Sequence, residues 1–391
     1  MNDSIVARFW ILALFCSLGA AATPFARAEP GVSDDKILFG QSAAFKGPAA
    51  ALGIGMRHGM LAAFLEANAD GGIHGRKLEL VTYNDGYEPE KAIANTIRLI
   101  DEDRVFALVG EVGTPTSKAA QPIATSRNVP FIGPFTGAAF LRDPSLRNVV
   151  NVRASYDQET EAWIDHLTKD LGFSKIAILY QDDSFGRAGL SGVIKALEKR
   201  GMKLVAEGTY KRNTTAVKRA VLAIRKGKPQ AVVMVGAYKP CAVFIRVARK
   251  IRMNPVFVNI SFVGSKALAA ELGPVGDGVV VTQVVPLPVD TSIPLVARYQ
   301  SALKAYDPKL EPGFVSLEGY MVGRLLIQAL DQLGPTVSRE RLLSTIRQVG
   351  KFDLDGIDLT YGTDDNQGMD RVFLTIIQPD GTFRAVDNLR P

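Results

Sequence analysis

From Lys36 onward, short apolar runs alternate with longer stretches whose apolar residues recur every three or four positions. Residues 36–40 (KILFG), 77–85, 105–110 and 129–134 are strand-length, rich in apolar and β-branched residues, and closed by Gly, Asn, Asp or Pro. Between them, residues 51–68, 88–103 and 115–128 carry helical spacing. The pattern then restarts. Helices are predicted over 157–172, 186–201, 214–227 and 241–253, and strands over 175–183, 203–210, 230–236 and 255–260. Strand and helix in strict alternation is the signature of βαβ units and a parallel sheet. Two such series, divided near residues 148–157, predict two doubly wound, Rossmann-like α/β lobes.

Two further helices, about 292–306 and 314–333, are too few for a third domain and are expected to return to the first layer. The terminal segment, with its Pro379-Asp380-Gly381 turn, reads as strands that finish the second lobe. The expected division is 29–154 plus 283–358 for the first lobe and 155–282 plus 359–391 for the second, joined by a hinge. In open α/β sheets a ligand binds beyond the carboxyl ends of the strands, so those ends are the place to look.

The first 28 residues are set apart. Residues 9–22 are apolar but shorter than a membrane span, and Ala26-Arg27-Ala28 places small residues at −3 and −1 before Glu29. This reads as a cleaved secretory signal peptide, and hence a periplasmic location. Cys16 follows Phe15, where a lipidated signal needs a small residue. Cys241 is the one cysteine left after cleavage, so no internal disulfide is expected and Cys241 reads as a small core residue. Net charge is +6, and removal of residues 1–28 takes away Arg8, Arg27 and Asp3 to leave +5. That mild excess suits an anionic ligand, whereas no interleaving of aromatic and basic residues points to nucleic acid.

Catalytic signatures are missing. Ser117-Lys118 stands in the reverse order of a phosphate loop. Gly53, Gly55 and Gly59 are spaced G-x-G-x-x-x-G inside a helical run, which suits close helix packing better than a dinucleotide. His58, His74 and His166 lack neighbours at ligand spacing, so neither metal nor cofactor is expected. No nucleophile elbow or thiol-enzyme signature is present. What recurs is a set of strand-end turns rich in hydroxyls and aromatics: 110–117, 133–140, 180–186, 235–240 and 259–265. A helix N-terminus carries a partial positive charge and free amides, so Thr114, Thr116 and Ser117 could hold a carboxylate, although each turn alone also reads as an ordinary cap.

In order and spacing, residues 47–92, LVGEVGTPTS, VPFIGPFTGA, ILYQDDSFGRAGL and VVMVGAY resemble the type I periplasmic solute-binding proteins of the leucine/isoleucine/valine-binding group, which serve ABC importers. The resemblance implies a type I periplasmic-binding-protein fold and a ligand cleft between the lobes. It places Thr114 at the hydroxyl of a carboxylate-binding loop, lined by Val112 and Gly113. Phe135, Thr136 and Gly137 fall where the family meets the ligand's ammonium. Phe185 and Tyr238 match aromatic positions that close from the other lobe, and Leu52 takes a position that is often aromatic.

Two departures follow from the same resemblance. The two halves of a first-lobe disulfide appear as Tyr87 and Gly113. The usual acidic partner of an α-ammonium appears as Ser261. Either Glu318 or Asp157 supplies that charge, or the ligand has no amine. Glu318 also reads as a capped or paired helix residue.

The expected function is the solute-binding component of an ABC importer, capturing a small amino acid or carboxylate and presenting it to a membrane permease. One alternative is a periplasmic sensor that presents its closed form to a receptor. Another, an enzyme on a doubly wound scaffold, lacks any visible nucleophile, base or nucleotide fingerprint.

Overall fold

The computed structural model describes residues 29–390. The predicted signal peptide and its cleavage site lie outside these residues. The first series comprises β1 (Lys36–Ala43), α1 (Ala50–Ala69), β2 (Lys77–Asn84), α2 (Pro89–Asp101), β3 (Ala107–Val109), α3 (Thr114–Ser126), β4 (Phe131–Ile132) and β5 (Val149–Val150). Its five strands form a parallel sheet in the order β2-β1-β3-β4-β5.

The second series runs through α4 (Tyr156–Lys169), β6 (Ile176–Gln181), α5 (Ser184–Glu198), β7 (Ala206–Tyr210), α6 (Lys218–Lys226), β8 (Ala231–Val235), α7 (Tyr238–Lys250), β9 (Val256–Asn259), α8 (Ser265–Leu272) and β10 (Val280–Gln283). Then follow α9 (Pro294–Tyr306), α10 (Phe314–Leu333), α11 (Arg339–Val349), β11 (Lys351–Asp353), β12 (Asp358–Thr360), β13 (Phe373–Ile377) and β14 (Phe383–Val386). The second sheet reads β14-β13-β10-β9-β8-β6-β7. Its parallel part, β7-β6-β8-β9-β10, repeats the winding of the first sheet, and β13 and β14 add antiparallel edge strands. Strands β6 and β8 are buried along their whole length, as expected when helices cover both faces.

Repetition of one winding creates two equivalent switch points, between β1 and β3 and between β6 and β8. The turns leaving those strands hold residues 110–114 and 181–185, and both series point them at a shared crevice.

Helix α10 packs across α1, far from it in sequence. A Cβ at Gly59 would strike the Ser316 carbonyl oxygen, and one at Gly319 would strike that of Met56. The glycine-rich face of α1 therefore serves close backbone approach, as its spacing suggests. Residues 351–360 form their own hairpin, β11–β12, outside the second sheet. This differs from the expectation that the whole terminal segment finishes the second lobe; the Asp355-Gly356 turn closes the hairpin on itself, with Asp355 at φ 55° and Gly356 at φ 97°. Cys241 is buried in α7, and burial pushes its thiol pKa up.

The chain passes between the sheets beside Asn151. Asn151 N–H donates to the Asn366 carbonyl (2.7 Å), while Gly368 N–H and the Tyr361 hydroxyl donate to the Asn151 carbonyl (2.8 and 3.1 Å). Two crossings of the chain are thus stitched together.

Candidate functional site

On the first sheet, β3 ends at Val109 and the chain turns through Gly110, Glu111, Val112 and Gly113 into α3. Val112 pairs with Phe135 in a single parallel bridge, locking this turn to the one after β4. Gly113 sits at φ 106°, a region that favours glycine, and a Cβ there would collide with the Tyr87 ring. Tyr87 and Gly113, the two positions where the resemblance implies a lost disulfide, are therefore in contact. The ring fills the space and braces the turn by packing instead of a bond.

Thr114 opens α3. Its Oγ1 lies 2.7 Å from Thr136 Oγ1, which also donates to the Tyr156 hydroxyl at 3.3 Å. Three buried hydroxyls from three elements thus converge. Gly137 makes this possible, since a Cβ there would meet the Tyr156 ring and backbone. Thr116 does something else: its hydroxyl donates to the Val112 and Gly113 carbonyls (2.5 and 3.0 Å), fastening the turn. Ser117 is buried, and its hydroxyl has no partner among the described residues.

From the second sheet, Phe185 lies in the first turn of α5, where Asp183 caps the helix by accepting from Phe185 N–H at 3.0 Å. Its ring meets Tyr156 (5.6 Å between centroids) and Phe262 (4.6 Å). Phe262 also meets Phe135 (5.3 Å) and Tyr87 (5.9 Å), so it joins aromatics from both sheets. Tyr238 and Leu52 lie apart from this centre, near Gly264. The Tyr238 hydroxyl accepts from Ala51 N–H across the crevice at 3.5 Å. Leu52 lines a cavity of about 420 Å3 with His58, Lys266 and Phe314 at the crevice mouth.

Ser261 does not stand alone. Glu159, fully buried on α4, accepts from Ser261 N–H (2.9 Å), from Ser261 Oγ (2.8 Å) and from Thr282 Oγ1 (2.6 Å). An acid is therefore present at this corner, delivered by α4 rather than by the turn after β9. It is answered by Arg153, fully buried, whose Nη2 donates to Ser261 Oγ and lies 3.4 Å from Glu159 Oε1. Arg153 Nη1 is 3.6 Å from Glu318 Oε1, and its guanidinium lies over the Phe135 ring at 4.8 Å. Burial opposes the Arg153 charge, but Glu318 and Glu159 outweigh it and raise its pKa. Burial pushes Glu318 up to about 7, against the pull of Arg153.

Of the two residues expected to replace the missing acid, Glu318 is buried at this corner. Asp157 is not there: it pairs with Lys195 at 2.8 Å on a half-exposed face. Sequence reasoning missed Arg153, Glu159, Tyr156 and Phe262. One signal was available. Glu159 lies on the apolar face of α4, between Tyr156 and Trp163, where a charge needs an explanation.

Among the described residues no group of three His, Cys, Asp or Glu is placed to hold a metal ion, and no helix is long and apolar enough to cross a membrane.

Comparison with known proteins agrees with the two-sheet architecture. The family model for periplasmic binding proteins matches residues 36–382. A crystal structure of a possible leucine/isoleucine/valine-binding protein from Rhodopirellula baltica is 41% identical, with a TM-score of 0.87, covering 92% of this chain and 98% of that one. Leu/Ile/Val-binding protein homolog 7 of Brucella abortus is 24% identical over 79% of each chain. An amino acid binding protein of Pseudomonas aeruginosa is 26% identical over 53% of this chain, which spans 56% of that protein's length. Family and fold are those of substrate-binding proteins rather than enzymes. With two similarly wound sheets facing one crevice, this chain belongs to the periplasmic binding protein family, in its leucine/isoleucine/valine-binding type.

Proposed function

We propose that this chain is the exported solute-binding component of an ABC importer, capturing a small amino acid or carboxylate between two lobes and presenting the closed form to a membrane permease. The lobes are residues 29–154 plus 283–358 and 155–282 plus 359–391, moving about the crossings near Asn151. The observation that carries the reading is the meeting of Thr114, Thr136 and Tyr156 hydroxyls, all buried, at the switch point of the first sheet. Hydroxyls beside a helix N-terminus satisfy a carboxylate without requiring a fixed counter-charge. Val112, Gly113, Phe135 and Gly137 shape the first-lobe wall. Phe185, Ser261 and Tyr238 close from the second lobe, and Leu52 lies at the mouth.

Hinge closure suits such a site, because the aromatic contacts of Phe262 with Tyr87 and Phe135 can form only with the lobes together. Export by a cleaved signal over residues 1–28 completes the reading.

A thermal-shift screen of residues 29–391 against small amino acids, oxo acids and aromatic acids tests it. A ligand at 100 times its Kd stabilises by about 2.7 kcal/mol. At least one small carboxylate should raise the melting temperature, and Thr114→Val should weaken that ligand by about tenfold, the worth of one hydrogen bond to a charged group. A Thr114→Val protein that binds as well as the wild type, or a melt that no small carboxylate moves, overturns the proposal.

A further inference from the structure

Two arginines sit side by side beneath the crevice, and they differ in how their donors are used. Arg142 Nε donates to Gln367 Oε1 (2.8 Å), Nη1 to the Thr136 and Ala138 carbonyls (3.0 and 3.1 Å), and Nη2 to the Arg153 carbonyl (3.1 Å). Every nitrogen of Arg142 is engaged, and it holds the turn that carries Thr136. Arg153 is fully buried, yet its Nε and Nη1 have no hydrogen-bond acceptor among the described residues. A guanidinium carries five donors, and leaving them unused in a buried place is costly. The neighbouring acids do not remedy this. Glu159 already accepts from Ser261 and Thr282. Glu318 approaches Nη1 only to 3.6 Å, beyond hydrogen-bond reach.

Arg153 also lies among the residues proposed to hold the solute. Its guanidinium is 4.8 Å from the Phe135 ring centre and 5.9 Å from that of Tyr156, whose hydroxyl belongs to the Thr114–Thr136 group. The corner where a ligand's amine would look for an acid thus presents a cation with spare donors, while its acids Glu159 and Glu318 are already engaged by Ser261, Thr282 and Arg153.

We infer that Arg153 determines specificity, making this site take a small monocarboxylate that lacks an α-amine and reject the matching amino acid. The inference rests on the reading of the crevice as a solute site. Arg153 and the hydroxyls of Thr114, Thr136 and Tyr156 flank the carboxylate, and an apolar or aromatic body packs on Phe135, Phe185 and Phe262. An ammonium in the same place meets the Arg153 guanidinium and finds Glu159 and Glu318 already paired with it at 3.4 and 3.6 Å, so repulsion by Arg153 is not offset by a free acid.

Matched pairs test this on wild-type residues 29–391: 4-methyl-2-oxopentanoate against L-leucine, and phenylpyruvate against L-phenylalanine, each titrated by calorimetry at pH 6. In at least one pair the oxo acid should bind 30-fold or more tighter than its amine partner. Amino acids binding as tightly as the oxo acids overturn the inference and leave the solute-binding proposal standing. Absence of binding by all four, together with a flat thermal-shift screen, overturns both.

Arg153→Met alone strands two buried acids and could fail to fold, so it is paired with Glu318→Gln. In that double variant the oxo acid should weaken at least tenfold and the oxo-over-amino preference should shrink. A preference equal to the wild type's overturns the assignment to Arg153, since loss of a purely structural residue lowers both affinities together.

Discussion

Two corners of the crevice solve the same problem in different ways. The first sheet offers Thr114 and Thr136, neutral hydroxyls held 2.7 Å apart by the locked turns at Val112 and Phe135. The second corner is charged and draws on both proposed lobes: Arg153 and Glu318 from the first and Glu159 from the second are all buried around Ser261. A neutral corner costs little to bury and survives the loss of one member. A charged corner is held by mutual compensation, so removing one member strands the others, at about 3–5 kcal/mol for a broken buried pair. The neutral corner should therefore tolerate substitution with a loss of binding alone, while the charged corner should lose stability as well.

The largest expected effect follows directly. Glu159→Ala removes the acceptor for Ser261 N–H, Ser261 Oγ and Thr282 Oγ1 and leaves Arg153 facing only Glu318. Unfolding in urea should show a loss of about 3–5 kcal/mol. Thr114→Val should cost about 1 kcal/mol in the same assay, as for a neutral hydrogen bond. If the two variants are equally stable, the contrast between the corners is wrong.

The same contrast explains what could be read from the sequence. Thr114 was legible because its setting is local: a buried strand, a glycine turn, a proline and a helix start within ten residues. The α1 glycines were legible for a similar reason, since their spacing already implied a packed face. The family resemblance supplied Phe135, Phe185, Tyr238 and Ser261 as positions, but not what surrounds them. Arg153, Glu159, Ser261 and Glu318 come from four places spread over more than 160 residues, and no local pattern ties them together. Substitution of an acid by Ser261 looked like a lost charge. In three dimensions the short side chain gives Glu159 room to reach the same spot from α4. Likewise, loss of a disulfide at Tyr87 and Gly113 looked like an absence, whereas the ring on the bare glycine is a replacement that only coordinates reveal.

A smaller effect should appear with pH. Burial holds Glu318 up to about 7, while Arg153, Arg142 and Glu159 are the charged groups acting on it. Arg142, lowered to about 9 by burial and by Arg153, keeps its proton through this range. Below pH 7 Glu318 is protonated and leaves Arg153 to an anion. Above it, the ionised carboxylate competes for Arg153 and repels the ligand. Affinity for a carboxylate should therefore fall as pH rises from 6 to 8, by up to about tenfold per unit for a single proton. Glu318→Gln should flatten the profile and hold it at the low-pH value. For the ligand-free protein the sign is the same: a raised pKa in the fold means that stability is fullest below 4.5 and is lost as pH rises through about 7. An affinity that rises with pH would place a ligand cation, not an anion, at this corner.

The smallest effect belongs to the rim, where both kinds of chemistry meet solvent. Glu88, before α2, accepts from Arg212 Nη2 and Asn213 Nδ2, both at 2.7 Å, on the loop after β7. On the opposite edge, Lys266 meets Glu311 at 2.5 Å with both side chains largely exposed. Each pair joins residues assigned to different lobes, so under the hinge proposal each forms only in the closed state. Exposed ion pairs are worth roughly 0.2–1 kcal/mol and are screened by salt. Glu88→Ala and Arg212→Ala should thus weaken the ligand no more than about fivefold, chiefly by faster dissociation, and a double-mutant cycle should give a coupling that shrinks at 0.5 M salt. The Lys266–Glu311 pair, more exposed and without a partner like Asn213, should give less. A rim coupling as large as the effect of Glu159→Ala would mean that closure is driven from the edges of the crevice, and the charged corner at its centre would lose its place as the element that makes the two corners differ.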